Sequence, residues 1–188
     1  MPVSEALRRY RCTAGQPLAA QIREALPAII ALEKEQIESL VSRFTAAIRE
    51  TRPMVFPDVP AAIRQLMASG FRLAITSGAP DYLVKIKLKL TGLGDCFELA
   101  LGTDTDRQHM TKGTGHFRLI RRHFHLSSAD FRRQAAMVGD TPYDMQIAKR
   151  GGLLAIGRRG WCGTEELVHA GADIVIESLT EVVDQLKV

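Results

Sequence analysis

Residues 135–144 run Ala135-Ala-Met-Val-Gly-Asp-Thr-Pro-Tyr-Asp144, a short apolar segment that stops at Gly139 and delivers two carboxylates, Asp140 and Asp144. Arg132 and Arg133 precede it and Gly-Asp follows, so the segment reads as a buried strand of a parallel sheet. Ligands of such sheets sit at the carboxyl ends of the strands, where Asp140 falls. Asp144 would open the helix that follows, Met145 to Lys149, so both carboxylates can face one cleft. The competing reading is an ordinary turn with an N-cap, since Asp, Gly and Pro are what turns and caps use. The rest of the chain has to choose between the two.

Working outward, strand and helix alternate from residue 58 to the C-terminus, which gives an α/β fold with a mostly parallel sheet. Asp58 caps an amphipathic helix carrying Val59, Ala62, Ile63, Leu66 and Met67, ended by Gly70. Expected strands cover 71–75, running into Thr76-Ser77-Gly78, then 97–101, 135–139, 153–156 and 173–176. Val84-Lys-Ile-Lys-Leu-Lys-Leu90 alternates with period two like a half-buried strand. Pro80 and Asp81 suit a helix N-terminus instead, and a parallel sheet needs a crossover here, so a helix is expected. Ser178-x-x-Glu181 is a capping box for a terminal helix with Val182, Val183 and Leu186 inward.

Upstream of residue 58 the pattern is helical. Residues 3–10 read as part of one helix, and Pro27 divides the region that follows. Ile37, Leu40, Val41, Phe44 and Ile48 form one apolar stripe. Thr51-Arg-Pro-Met-Val-Phe-Pro-Asp58 is a proline-punctuated connector, so a small helical unit over residues 1–53 and an α/β unit over 54–188 are expected.

Bulk properties narrow the class. The chain has 188 residues, 46% hydrophobic and 24% charged, enough for one good core. Cys12, Cys96 and Cys162 show neither metal-binding nor disulfide-framework spacing, which suits a reducing, cytoplasmic setting. No apolar run reaches the length of a membrane span. Net charge is +4. Arg118, Arg121, Arg122, Arg132, Arg133, Arg158 and Arg159 lack interleaved aromatics, which favours a solvated face over a nucleic-acid partner.

Polar groups now stand at strand or loop ends in a set order: Thr76, with Ser77 and Gly78, then Lys112, then Asp140 and Asp144. A hydroxyl, an ammonium and a pair of hard oxygen ligands suited to Mg²⁺ are what phosphoryl transfer needs. Singly, Thr76 and Lys112 would be a loop hydroxyl and a solvent lysine; together with the carboxylates they form a site.

This order resembles the haloacid dehalogenase-like superfamily, from about Gln16 to the C-terminus. Leu73-Ala-Ile-Thr-Ser77 looks like its second motif, Lys112 like the third, and Gly139-Asp-Thr-Pro-Tyr-Asp144 like the fourth. Pro57-Asp-Val-Pro60, Gly151-Gly152 and Gly171-Ala-Asp173 look like its phosphoglycolate phosphatase-type branch. The resemblance implies a Rossmann-like core with a helical cap and a small phosphorylated substrate. It implies that Thr76 and Lys112 are catalytic groups that, with Ser77 and Gly78, hold the phosphoryl group, and that Asp140 and Asp144 hold Mg²⁺. Arg11, Gln16 and Arg23 of the cap are candidates to touch the rest of the substrate.

The chain departs from that pattern in one respect. The superfamily's first motif, an Asp-x-Asp that supplies the nucleophile, belongs before the cap, and the only Asp-x-Asp here is Asp104-Thr-Asp106, which follows the second motif and reads as a surface loop. By the same resemblance the strand bearing that motif lies between those ending at Thr76 and Asp140. The expectation is therefore a phosphatase-type hydrolase that is truncated and inactive as this chain. The alternative is a non-catalytic protein that binds a phosphorylated ligand on the same fold. A mutase or dehalogenase is a lesser alternative, and an unpaired sheet would favour a homodimer.

Overall fold

The computed structural model describes residues 4–5, 10, 13–26, 32–104 and 110–186. Of the expected first helix only residues 4–5 and 10 are described, and they are helical; Pro27, Arg11 and Asp106 lie outside the described residues. Helices α1 (Leu18–Ala25) and α2 (Lys34–Glu50) pack against each other, and α2 is closed at its start by a capping box between Glu33 and Gln36. The predicted stripe of α2 is only partly buried. Ile37 is covered, but Leu40 and Phe44 are exposed at 37% and 38%, and Thr45 is buried in their stead. A unit this thin has too few neighbours to cover a full helical face.

After α3 (Val59–Ala68) come β1 (Ala74–Pro80), α4 (Asp81–Thr91), β2 (Leu99–Thr103), α5 (Thr114–His123), α6 (Ser128–Gln134), β3 (Ala136–Gly139) and α7 (Pro142–Gly151). The chain ends with β4 (Leu154–Arg158), α8 (Thr164–His169), β5 (Ile174–Ile176) and α9 (Val182–Leu186). All strand pairs are parallel. The expected helix over the lysine-rich segment is present as α4. It buries Leu83 and Val84 and leaves Ile86 and Leu90 exposed, the cost of a period-two pattern on a period-3.6 element.

Strand boundaries differ from expectation. β1 begins at Ala74 rather than Phe71 and runs through Thr76, Ser77 and Gly78 to Pro80, while β2 begins at Leu99 rather than Phe97. Register explains the shift: Ala74 pairs with Leu99 and Thr76 with Leu101, so the ladder extends past the apolar run to the polar ends. Phe71 and Leu73 pack into the core without being strand residues.

Side chains leave the sheet alternately and build two cores. Ala155 points with Met137 and Leu101 into a cluster closed by Phe117 of α5, Phe131 of α6, Met145 of α7 and Leu167 of α8. Leu154 and Ile156 point to the other face, against Leu66 of α3 and Val182 and Val183 of α9. The result is a helix–sheet–helix sandwich. Its ladder is interrupted: β1 and β2 form one sheet and β3, β4 and β5 another, with no pairing between them among the described residues. Ala74 and Leu99 from the first sheet nevertheless pack on the same cluster as Met137 and Ala155 from the second.

Asp58 does not cap α3 through its side chain as expected. Its carboxylate instead accepts from Leu179 N at 2.7 Å, Ser178 Oγ at 3.0 Å and Arg158 Nη2 at 3.1 Å, tying the start of α3 to the last segment and to the end of β4. The Leu179 amide, the first of these donors, holds the Asp58 carboxyl below its ordinary range. Among the described residues no helix is long and apolar enough to cross a membrane. Asp58→Ala should cost about 1–3 kcal/mol, because Ser178, Leu179 and Arg158 all lose an acceptor. Urea denaturation of the two proteins would check this.

Candidate functional site

Gly139 ends β3 against the first turn of α7, where Thr141 is the N-cap and Pro142 the first helical residue. Only a glycine fits, since a β-carbon there would lie 2.3 Å from Asp144 Cβ. Thr141 and Asp144 close a capping box in which Asp144 N donates to Thr141 Oγ1 and Thr141 N donates to Asp144 Oδ2, each at 3.2 Å, and Thr141 Oγ1 also donates to Asp144 Oδ2 at 2.7 Å. The other carboxylate oxygen of Asp144 meets Lys112 Nζ at 2.5 Å, with both side chains under one-tenth exposed. Lys112 and Asp144, 32 positions apart in sequence, are thus a buried ion pair.

Asp140 stands beside this pair in a different state. Burial, together with the negative charge of Asp144, raises its carboxyl above the ordinary range, and Lys112 and Arg158 only partly offset this. Arg158 is not part of a solvated arginine face as the sequence suggested. It stacks 4.0 Å from the Phe56 ring centroid and pairs with Asp58, while Arg118, Arg122, Arg132 and Arg133 are exposed. Nothing in a local pattern pointed to Arg158, whose partners are 100 residues away.

Thr76 lies in β1, and its hydroxyl is 2.6 Å from Nδ1 of His116, a residue of α5 with no exposed surface. The proton positions follow from chemistry. Nε2 of His116 is 3.0 Å from the Gly102 carbonyl, which can only accept, so Nε2 carries the hydrogen. Burial lowers the His116 pKa, keeping the ring neutral and leaving Nδ1 as the acceptor. The Thr76 hydroxyl therefore donates to His116, and it can donate elsewhere only by leaving that bond or after His116 gains a proton. No sequence signal marked His116. Thr141, also not singled out, was visible as the Thr-x-x-Asp spacing of a capping box.

Ser77 and Gly78 continue β1 toward the same place. Gly15, at φ +88°, carries the helical unit's turn over the site: a β-carbon on it would lie 2.7 Å from Thr141 Oγ1 and 3.4 Å from Lys112 Nζ. The Gly15 and Gln16 carbonyls close on Gly78 from the same turn. One turn thus meets both the end of β1, at Gly78, and the Lys112–Asp144 pair. Of the cap candidates, Gln16 is at this seam and Arg23 is exposed on α1. Asp104 follows β2, and its backbone N–H bonds the Met110 carbonyl.

A family profile described as haloacid dehalogenase-like hydrolase matches residues 5–152. The chain belongs to that family. Similar proteins include a probable phosphatase, IndB, of Dickeya dadantii, 30% identical over 94% of this chain and 76% of that protein. A plasmid-borne phosphoglycolate phosphatase of Cupriavidus necator is 30% identical over 66% of this chain and 52% of that protein. A crystal structure of a predicted phosphatase from Clostridium acetobutylicum shares the fold at a TM-score of 0.79 and 22% identity, covering 97% of this chain and 87% of that one.

Two predictions follow from the charges of this family member. Lys112→Met leaves Asp144 buried without its counter-charge and should destabilise the protein by about 3–5 kcal/mol in urea unfolding. Asp140→Asn should act in the opposite direction. The native Asp140 carboxyl titrates above its unfolded value of about 3.9, so the native chain binds the extra proton and stability falls as pH rises through that window. The variant should be the more stable protein at neutral pH, with the gain gone below about pH 3.9. Thermal melts across pH in EDTA would read this.

Proposed function

We propose that this site is that of a Mg²⁺-dependent phosphomonoester hydrolase acting on a small phosphorylated metabolite. The observation that carries the reading is the Lys112–Asp144 pair beside the crowded carboxylate of Asp140. An ammonium locked in place gives a phosphoryl group a fixed positive charge, and two adjacent carboxylates suit a hard divalent ion.

The donor set fits Mg²⁺ in a divided way. Asp144 has one oxygen on Lys112 and the other on Thr141, whereas Asp140 is held above its ordinary pKa by burial and by Asp144, a strain that a cation relieves. Asp140 and Asp144 would hold the ion, directly or through water, while Asp144 also fixes Lys112. Mg²⁺, which keeps several waters, needs no more protein ligands than these. When bound it would supply neutralisation of charge on the phosphoryl oxygens.

The chain's own groups do the rest. Lys112 faces the phosphoryl oxygens, and the β1 end at Thr76, Ser77 and Gly78 receives them from the other side. Thr76 donates to phosphate by giving up His116, so binding there is coupled to the proton inventory of a buried imidazole. Cleavage requires a nucleophilic carboxylate besides the metal pair. The second reading is a protein that binds a phosphorylated ligand without turning it over.

The experiment measures phosphate release from a panel of small phosphate esters with Mg²⁺ and with EDTA, alongside calorimetric titration of Mg²⁺ and inorganic phosphate. Mg²⁺-dependent release, abolished in Asp140→Asn, is the expected result for the hydrolase. Saturable phosphate binding without release would move the second reading to the front, and no binding of either probe would overturn both.

A further inference from the structure

A cavity of about 220 Å³ opens between α5, α6 and α7, and Lys112, Asp140 and Asp144 are not in its lining. Four arginines line it: Arg118 and Arg121 of α5, Arg132 of α6 and Arg150 of α7. Thr114 and Ser128 complete the polar lining, which holds no Asp or Glu. The buried rings of Phe117 and Phe131, their centroids 5.8 Å apart, form its apolar part.

The walls are held in place. A β-carbon on Gly151 would lie 2.6 Å from Phe117 Cε2, so α7 and α5 meet closely here. Arg121 Nη1 donates to Ser128 Oγ across the junction of α5 and α6. Arg132 runs its stem over the end of α7, where a β-carbon on Gly152 would lie 3.2 Å from its Cγ and Cδ.

Charge pairing separates these arginines from their neighbours. Arg133 of α6 pairs with Asp130 and Lys149 of α7 with Asp173, and neither cation lines the cavity. Among the described residues, Arg118, Arg121, Arg132 and Arg150 have no carboxylate partner. A basic residue in the last turn of a helix offsets the helix dipole and needs no ligand to explain it. Arg118 is in the middle of its helix, and four like charges gathered on one concavity without a counter-charge repel one another. An anion relieves that repulsion, and planar guanidinium groups match phosphate oxygens bidentately.

We propose that this cavity is a second anion site, which takes the linked phosphates of a diphosphate or longer chain. Four guanidinium groups match more charge than one phosphate carries. The volume is below the roughly 300–1,000 Å³ of pockets that enclose drug-sized ligands, so the cavity holds the phosphate chain and leaves any attached organic group outside. The inference goes beyond the hydrolase reading and does not depend on it.

The test titrates the 188-residue chain by calorimetry with inorganic diphosphate, inorganic phosphate, ADP and oligothymidylate. Salt at about 0.15 M screens long-range attraction, and EDTA keeps metal ions from drawing anions to Asp140 and Asp144. Diphosphate should bind about tenfold or more tightly than phosphate. Arg118→Gln/Arg132→Gln should weaken it about 100-fold, the worth of two charge-assisted hydrogen bonds. Arg64→Gln/Arg122→Gln removes the same charge from exposed positions outside the cavity and should change it less than about twofold. ADP binding as tightly as diphosphate would make a nucleotide the source of the phosphate chain, and diphosphate binding alone would make it the free anion; either supports the site. No diphosphate binding, equal losses in the two double variants, or affinity that survives Arg118→Gln/Arg132→Gln would overturn it. Oligothymidylate binding without diphosphate binding would overturn it too, in favour of a nucleic-acid face. Should Arg118→Gln/Arg132→Gln not fold, Arg118→Gln/Arg150→Gln carries the same expectation.

Discussion

The buried pair of Lys112 and Asp144 is the constraint around which the polar end of this molecule is arranged. Taking both charges out of water is costly, and the cost is met only because the geometry is close and the second carboxylate oxygen is also bonded. Lys112 comes from the segment between β2 and α5, and Asp144 from the first turn after β3. The pair is therefore a polar stitch between the strand systems; Asp144 leaves no room for a side chain on Gly139, and Thr141 leaves none on Gly15.

Much of this was legible because it is local. Strand–helix alternation gave the fold class, the Gly-Asp-x-x-x-Asp spacing placed Asp140 and Asp144 at one strand end, and the need for a crossover correctly favoured a helix over residues 81–90 against a period-two pattern. What the sequence hid is what long-range packing decides. Asp58 looked like a helix cap and instead anchors Ser178 and Leu179, some 120 positions away. Arg158 looked like one of a solvated set and instead stacks on Phe56. His116 sits on a helix with nothing in its neighbours to mark it, and its significance comes from the Gly102 carbonyl that fixes its proton. Strand ends moved for the same reason: the parallel partner, not the apolar run, sets where pairing begins.

The interrupted ladder gives the two sheets a different kind of coupling from the one inside each. Within β1–β2 and within β3–β4–β5, strands are joined by backbone hydrogen bonds; across the interruption the described contacts include side chains of one apolar cluster, the Lys112–Asp144 pair and the Gly15 turn. Side-chain packing resists separation but gives no protection to backbone amides. The two sheets are thus held to each other through side chains rather than a common ladder, and amide exchange would proceed soonest along the unladdered sides of β1 and β3.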